Sequence, residues 1–394
     1  MKKFSLKDLD VSNKRVFVRV DFNVPLDNNG NISDDTRIRR ALPTIQYIID
    51  RGGIPILASH LGRPKGKKEP KLSLRPVAQR LSTLLNRDVT FLSDCIGKEV
   101  KETIDKAKPG DVILLENLRF HPEEKENDEN FAKSLASLAD LYVNDAFGTA
   151  HRAHASIAKI TEFFESPAAG FLMEKEIENL SKVLFSPTHP FIAIIGGKKI
   201  SDKLGVVENL LDRVDSILLG GGLIFNFFKA KGYEIGNSIF EEDFLEKAHS
   251  LLGEQKIHLP VDVVIGDRFD NNANQKLVKS KNIPRNWWGM DIGEETIRNY
   301  KEEILKAKTI VWAGPMGVFE FRRFAKGTEE IGKGIAQATE RGAVSIIGGG
   351  DTLSALKRFG LEDKMTHAST GGGASLEFLE GKELPGIRAL RDKE

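Results

Sequence analysis

Short apolar runs alternate with amphipathic stretches along most of this 394-residue chain, and the pattern runs through two successive arrays. Val16–Val20, Ile54–Ala58, Val112–Leu115 and Leu141–Val143 read as strands apolar enough to be covered on both faces. Between them, Thr36–Arg51, Ser73–Asn86 and Asn127–Ala139 carry helical spacing and capping residues. A second array starts at Phe191–Ile195 and continues through Val214–Leu219, Val261–Ile265, Thr309–Trp312, Ala343–Ile347 and Thr366–Ser369. Helices are expected there over Lys301–Lys308 and Gly327–Arg341. Strands alternating with helices predict an α/β protein built from mainly parallel sheets flanked by helices.

The chain is too long for one core and suits two such domains. Gly170–Phe185, with Leu172, Ile177, Leu180 and Leu184 on one face, predicts a connecting helix. Ser186-Pro187-Thr188-His189-Pro190 closes it, so a connector and hinge are expected over 170–190. Residues 266–290, Asn-rich and then Trp287-Trp288, predict a loop or a β excursion.

Charge excludes whole classes of partner. The net charge is +1, with 27 basic against 24 acidic residues in 1–170 and 31 against 33 in 171–394. Neither half has the field that nucleic acid or an anionic membrane requires. A single cysteine, Cys95, excludes an intramolecular disulfide and any multi-cysteine metal site. Met1–Asp10 lacks the apolar core of a signal peptide, and no run approaches the length of a membrane span. A cytoplasmic protein is expected, and a monomer, since no heptad seam is visible.

Parallel sheets bind ligands beyond the carboxyl ends of their strands, so the residues after each strand carry the information. In the first array these are polar and basic: Asp21-Phe22-Asn23, Ser59-His60-Leu61-Gly62-Arg63, Glu116-Asn117-Leu118-Arg119 and Asn144–Arg152. Arg37 opens the helix after the first strand. Arg37, His60, Arg63, Arg119 and Arg152 are therefore expected on one rim, where guanidinium groups suit a small ligand bearing phosphate or carboxylate.

In the second array the strand ends carry glycine: Gly196-Gly197, Gly220-Gly221-Gly222, Gly314-Pro315-Met316-Gly317, Gly348-Gly349-Gly350-Asp351-Thr352 and Gly371-Gly372-Gly373. Glycine admits close approach of backbone to ligand, and the N–H groups of the next helix attract anions. Asp351 suits either a Mg²⁺ ligand on nucleotide phosphates or a helix cap, and Lys199 and Lys203 either phosphoryl contacts or solvated charges. No G-x-x-x-x-G-K-[ST] and no G-x-G-x-x-G occurs, which speaks against a P-loop enzyme, a protein kinase and a dinucleotide-dependent dehydrogenase. On the residues alone, a phosphotransferase, a nicotinamide dehydrogenase and a non-catalytic nucleotide-binding module remain open.

Ordered motifs along nearly the whole chain resemble the phosphoglycerate kinase family. They include Arg19–Pro25, Ser59–Pro64, Leu115–Phe120, Asn144–Arg152, Ser201-Asp202-Lys203, Gly314–Glu320, Gly348–Thr352 and Ser369–Glu377. The resemblance implies two Rossmann-like domains with a cleft between them, residues 1–169 plus 380–394 and residues 191–379. It implies that 3-phosphoglycerate or 1,3-bisphosphoglycerate meets Asp21, Phe22, Asn23, Arg37, His60, Leu61, Gly62, Arg63, Arg119 and Arg152. It implies that Mg-ADP or Mg-ATP meets Lys203, Gly220, Gly221, Gly222, Gly293, Glu320, Gly349, Gly350, Asp351 and Thr352, with Mg²⁺ on Asp351. Arg37, Lys199 and Gly371, Gly372 and Gly373 would serve the phosphoryl group in transit. Lys198 and Ala313 depart from the family pattern, which more often has a small residue and an asparagine there.

Overall fold

A computed structural model of the chain describes residues 2–27 and 29–393. The first array forms β1 (Arg15–Arg19), α1 (Thr36–Asp50), β2 (Ile54–Ala58), α2 (Arg75–Leu85) and β3 (Val89–Phe91). It continues with α3 (Lys98–Ile104), β4 (Val112–Leu114), α4 (Glu123–Glu126), α5 (Glu129–Ala136), β5 (Leu141–Asn144) and β6 (Ala168–Ala169). All neighbours in the sheet β3-β4-β2-β1-β5-β6 pair in parallel. β2 is buried along its whole length, as a strand covered on both faces must be. Its helices follow their apolar spacing: Ile38, Ala41, Ile45, Ile48 and Ile49 of α1 pack on Val16, Val18, Leu57 and Val143.

After α6 (Phe171–Phe185) the second array forms β7 (Phe191–Ile195), α7 (Leu204–Leu211), β8 (Ser216–Leu219), α8 (Ile224–Ala230) and α9 (Leu245–Leu251). Then come β9 (Ile257–His258), β10 (Asp262–Gly266), β11 (Gln275–Lys279), β12 (Trp288–Ile292), α10 (Glu294–Ile304) and β13 (Thr309–Ala313). α11 (Lys326–Glu340), β14 (Val344–Gly348), α12 (Gly350–Phe359), β15 (His367–Ala368), α13 (Gly373–Leu379) and α14 (Pro385–Arg388) complete the chain. The second parallel sheet runs β15-β14-β13-β7-β8-β9. Its core gathers Ile192, Ile194, Ile310, Ile331, Ile335 and Ile347 around the fully buried Trp312. The Trp312 indole N–H donates to Gly314 O at 2.8 Å, so this large side chain is buried without an unmet donor.

Two compact units result. One comprises residues up to Glu178 together with those from Glu383 onward; the other is Asn179–Lys382. The chain passes from one to the other within α6. The C-terminal segment pairs back onto the first unit: Phe4 N–H donates to Arg391 O at 2.8 Å, Arg391 N–H to Pro167 O at 3.0 Å, and Gly386 N–H to Ala150 O at 2.8 Å.

Two expectations are corrected. Val261–Ile265 was expected in the second parallel sheet, but β10 lies in a separate antiparallel sheet, β11-β10-β12. The reason is the short connection 267–274, which can only turn back on itself; a parallel neighbour needs a crossover of a dozen residues or more. Asp267 fixes that turn, accepting from Asn274 N–H at 2.9 Å and Asn274 Nδ2 at 2.6 Å. Residues 266–290 are thus largely hairpin. The helix expected over Lys301–Lys308 starts instead at Glu294, because a distant residue caps it. The buried Asp262 carboxylate accepts from Glu295 N–H at 3.1 Å and from Thr296 N–H at 2.9 Å. β3, β6 and β9 carried no legible signal: each is two or three residues long.

Asp262→Ala should destabilise the second unit by about 1–3 kcal/mol, through loss of the α10 cap and of partners for buried N–H groups. Urea unfolding followed by far-ultraviolet circular dichroism measures this.

Candidate active site

Strand register decides which side chains meet. In the first unit Arg19 stands opposite Ala58 on one side and Asn144 on the other, so β1, β2 and β5 end level. The segments leaving them therefore converge, and the turn Leu118–Phe120 after β4 joins them. Asn117 holds that turn: its side-chain oxygen accepts from Arg119 N–H at 3.1 Å and Leu61 N–H at 3.2 Å. Its Nδ2 donates to Leu61 O at 2.8 Å and Leu72 O at 2.9 Å.

The result is a cluster of cations with few counter-charges. Arg19, Arg119, Arg152 and Arg37 all act electrostatically on His60. Burial first, then these arginines, hold the His60 imidazole well below the usual histidine value, so it is neutral. Arg19 Nη2 lies 3.3 Å from His60 Nδ1; a guanidinium can only donate, so Nδ1 accepts and the ring proton sits on Nε2. Arg119 is 3% exposed, and burial together with Arg152 and Arg19 pushes it down to about 10. Its Nη1 donates to Gly62 O at 2.8 Å, while Nε and Nη2 are buried with no partner. His151 accepts from Arg152 Nε at 3.2 Å through Nε2, which leaves its proton on Nδ1, buried and unpartnered too. Buried N–H groups without acceptors are costly, and here they point to an anion supplied from outside.

The other predicted residues around this cluster have distinct places. Arg37, one-third exposed, pairs with Asp21 Oδ2 at 2.5 Å. Asn23 Oδ1 accepts from Gly62 N–H at 2.8 Å; Gly62 has a left-handed backbone that favours glycine, and a side chain there would also strike Leu72. Phe22 and Leu61 are buried in the core, and their backbone groups are taken up by Ser59, Val24 and Asn117, so both shape the site from behind. Arg63 is exposed and makes no hydrogen bond or ion pair among the described residues, so the structure does not join it to the cluster. Arg19 and His151 were missed as site residues, although both lie in segments with strand-end placement. A mixed donor group, Asp94, Cys95 and His121, lies elsewhere in this unit. Its Asp94 is already held by Lys68 and His121, each at 2.7 Å.

In the second unit, β8, β7, β13 and β14 end level: Leu219 pairs with Ile195, Ile195 with Ala313, and Ala313 with Gly348. The glycines that follow fall into two groups. A side chain at Gly196, Gly220, Gly221, Gly222 or Gly314 would strike residues 196–198 or 314–316, so these loops are glycine-rich because they pack on one another. Gly293 is the N-cap of α10, and a side chain there would strike the Asp262 carboxylate. Packing alone thus accounts for Gly220–Gly222 and Gly293. Gly350 and Gly372, by contrast, face open space, and Gly349 and Gly372 have φ of +89° and +53°.

Gly349 caps α12 without a side chain, so the N–H groups of Gly350, Asp351 and Thr352 start the helix with no intrahelical acceptor. The Thr352 hydroxyl is not available to a ligand. It accepts from Gly314 N–H at 2.7 Å and donates to Gly348 O at 2.9 Å, tying the β13 exit to that of β14. Asp351 is exposed in the first turn of this helix. Lys203 is 8% exposed; burial lowers its pKa against the opposing pull of Asp202, Asp351 and Glu380. Lys199 is half exposed and 3.9 Å from Glu241, and the Glu320 carboxylate is exposed. Beyond β15, Gly371 N–H is held by Ser369 Oγ at 3.1 Å, ahead of Gly372 and Gly373 at the start of α13.

Proteins of similar sequence and fold are known. The family model for phosphoglycerate kinase matches residues 6–382. The phosphoglycerate kinase of Koribacter versatilis is 54% identical over the full length of both chains. The cytosolic phosphoglycerate kinase of Nicotiana tabacum is 54% identical over 98% of each. The solved structure of phosphoglycerate kinase from Coxiella burnetii superposes with a TM-score of 0.89 at 42% identity, covering 98% of both chains. The chain belongs to the phosphoglycerate kinase family. It is accordingly a kinase of glycolysis, and the dehydrogenase and non-catalytic alternatives fall away.

Arg119 should be a functional residue that costs stability. Arg119→Met is expected to melt no lower than the wild type in phosphate-free buffer, and to lose the rise in melting temperature that inorganic phosphate gives the wild type. A lower melting temperature without phosphate would mark Arg119 as structural.

Proposed function

We propose that the chain catalyses reversible transfer of the acyl phosphate of 1,3-bisphosphoglycerate to Mg-ADP, giving 3-phosphoglycerate and ATP. The observation that carries this reading is the set of buried, unpartnered N–H groups on Arg119 and His151 beside Arg152. They match the phosphate of a small phosphorylated acid. Asp21 and Asn23 would face its hydroxyl and carboxyl oxygens, with His60 Nε2–H, Arg63 and Gly62 completing the contacts.

The nucleotide would occupy the second unit. The first-turn N–H groups of Gly350, Asp351 and Thr352, together with Lys203, suit its phosphates. Asp351 suits Mg²⁺, which travels with the nucleotide and takes most of its other ligands from phosphate and water. Glu320 would take the ribose, and the walls formed by Gly220–Gly222 and Gly293 the adenine.

Phosphoryl transfer needs alignment and charge neutralisation more than covalent help from the protein. Arg37, held by Asp21, would face the acyl phosphate from the acid side. Lys199 and the helix start at Gly371, Gly372 and Gly373, through the N–H groups of Gly372 and Gly373, would face it from the nucleotide side. The attacking group is a phosphate oxygen of ADP or, in reverse, the carboxylate of 3-phosphoglycerate. Both are ionised at neutral pH, so no general base is required. We read transfer as direct and in line, with the two units closing around both ligands to exclude water. The tobacco relative's name places that protein in the cytosol, and we extend this to the chain, as a monomer without nucleic-acid or membrane partners.

A coupled assay of ATP with 3-phosphoglycerate should show turnover; nucleotide binding without turnover would overturn the reading. Arg37→Ala should lower kcat by about 10-fold or more, since the group is asked to act in the transition state. An effect confined to KM would contradict that role. Small-angle scattering should register compaction with both substrates bound.

A further inference from the structure

Arg19 is fully buried, yet no carboxylate lies within ion-pair distance of it among the described residues. Its counter-charge stands one residue further back. Arg19 Nε donates to Ser156 Oγ at 2.8 Å. Ser156 Oγ donates in turn to Glu124 Oε1 at 2.6 Å, and Ser156 N–H donates to Glu124 Oε2 at 3.0 Å. Glu124 is itself completely buried, in a four-residue helix whose other acidic residues reach the surface or its edge. On its far side Arg19 meets His60 Nδ1.

We propose that Glu124 and Ser156 are positioning residues for the phosphorylated acid, fixing the His60 tautomer through Arg19. Arg19 forces the direction of the two links it makes. A guanidinium only donates, so Ser156 Oγ must accept from Arg19 and turns its own hydrogen to Glu124. The same constraint makes His60 Nδ1 an acceptor and leaves Nε2–H as the group offered to a ligand. Glu124 is the one fully buried carboxylate in a neighbourhood that also holds Arg119 and the neutral His154, whose Nδ1 lies 3.8 Å from Glu124 Oε1. Tyr142 fixes the remaining side by donating to Ser156 O at 3.0 Å. Without Glu124 the Ser156 hydroxyl is no longer held as an acceptor for Arg19 Nε, and the guanidinium keeps only its Nη1 bond to Val20 O and its contact with His60, too little to hold one orientation against the imidazole. Glu124 contacts no ligand in this scheme; it holds the residue that holds the histidine.

The kinetic part of this inference rests on the phosphoglycerate reading, whereas the tautomer does not. Long-range ¹H–¹⁵N correlation on the unliganded protein should show His60 protonated on Nε2 in the wild type. Protonation on Nδ1 would overturn the proposal without any variant. In Ser156→Ala and Glu124→Gln the His60 signals should become those of mixed tautomers. The KM for 3-phosphoglycerate should rise about 5-fold or more while the KM for ATP and kcat stay within about 2-fold. Unchanged His60 signals in both variants would overturn the relay, and equal rises in both KM values would assign Glu124 a merely structural role. If the wild type failed to turn over 3-phosphoglycerate, the function would be wrong, and the tautomer measurement would still decide the relay.

Discussion

Parallel pairing in register is the constraint on which both sites depend. A parallel sheet sends all its strands the same way, so the segments that leave them emerge along one edge. Here the strands also end level, Arg19 against Ala58 and Asn144 in one sheet, Ala313 against Ile195 and Gly348 in the other. A shift of one residue in β1 would move Arg19 to the opposite face and separate it from both Ser156 and His60. The sites are therefore consequences of hydrogen-bonded backbone, and the side chains are added to positions already fixed.

The two units use that edge in opposite ways. The first concentrates side-chain charge and keeps several N–H groups buried without acceptors, storing an electrostatic cost that an anionic ligand relieves. Along that edge the second packs Gly196, Gly220–Gly222 and Gly314 loop against loop and leaves Gly350 and Gly372 facing open space. Charge is thus carried by guanidinium side chains on one side and by backbone dipoles on the other.

Much of this was legible in the residues that follow each apolar run. Arg37, His60, Arg119 and Arg152 are found in one electrostatic neighbourhood because strand order in space preserves their place after successive strands. What was hidden depended on partners far away in the chain. Glycine at 220–222 and 293 reads the same whether a ligand or another loop approaches it, and only the packing distinguishes them. The hydroxyl of Thr352 is consumed by Gly314, 38 residues away. Glu124 sits in a charged run that resembles any solvated helix, and Arg19 interrupts an apolar strand without explanation until Ser156 is placed beside it. Arg63 also follows a strand, and its exposed side chain, without a protein partner among the described residues, is left to a ligand to orient.

The return of the last residues to the first unit bears on how the chain is made. Synthesis proceeds from the N-terminus, so all of Asn179–Lys382 exists before Glu383 and its successors are added. The second unit is thus complete in sequence while the first still lacks the segment that pairs with Phe4, Ala150 and Pro167. The first unit is begun earliest and finished last. A nascent chain passes through a stage at which the whole second unit hangs from an unfinished partner, and the unit that carries the arginine cluster is completed only after Glu383 and the residues behind it are made.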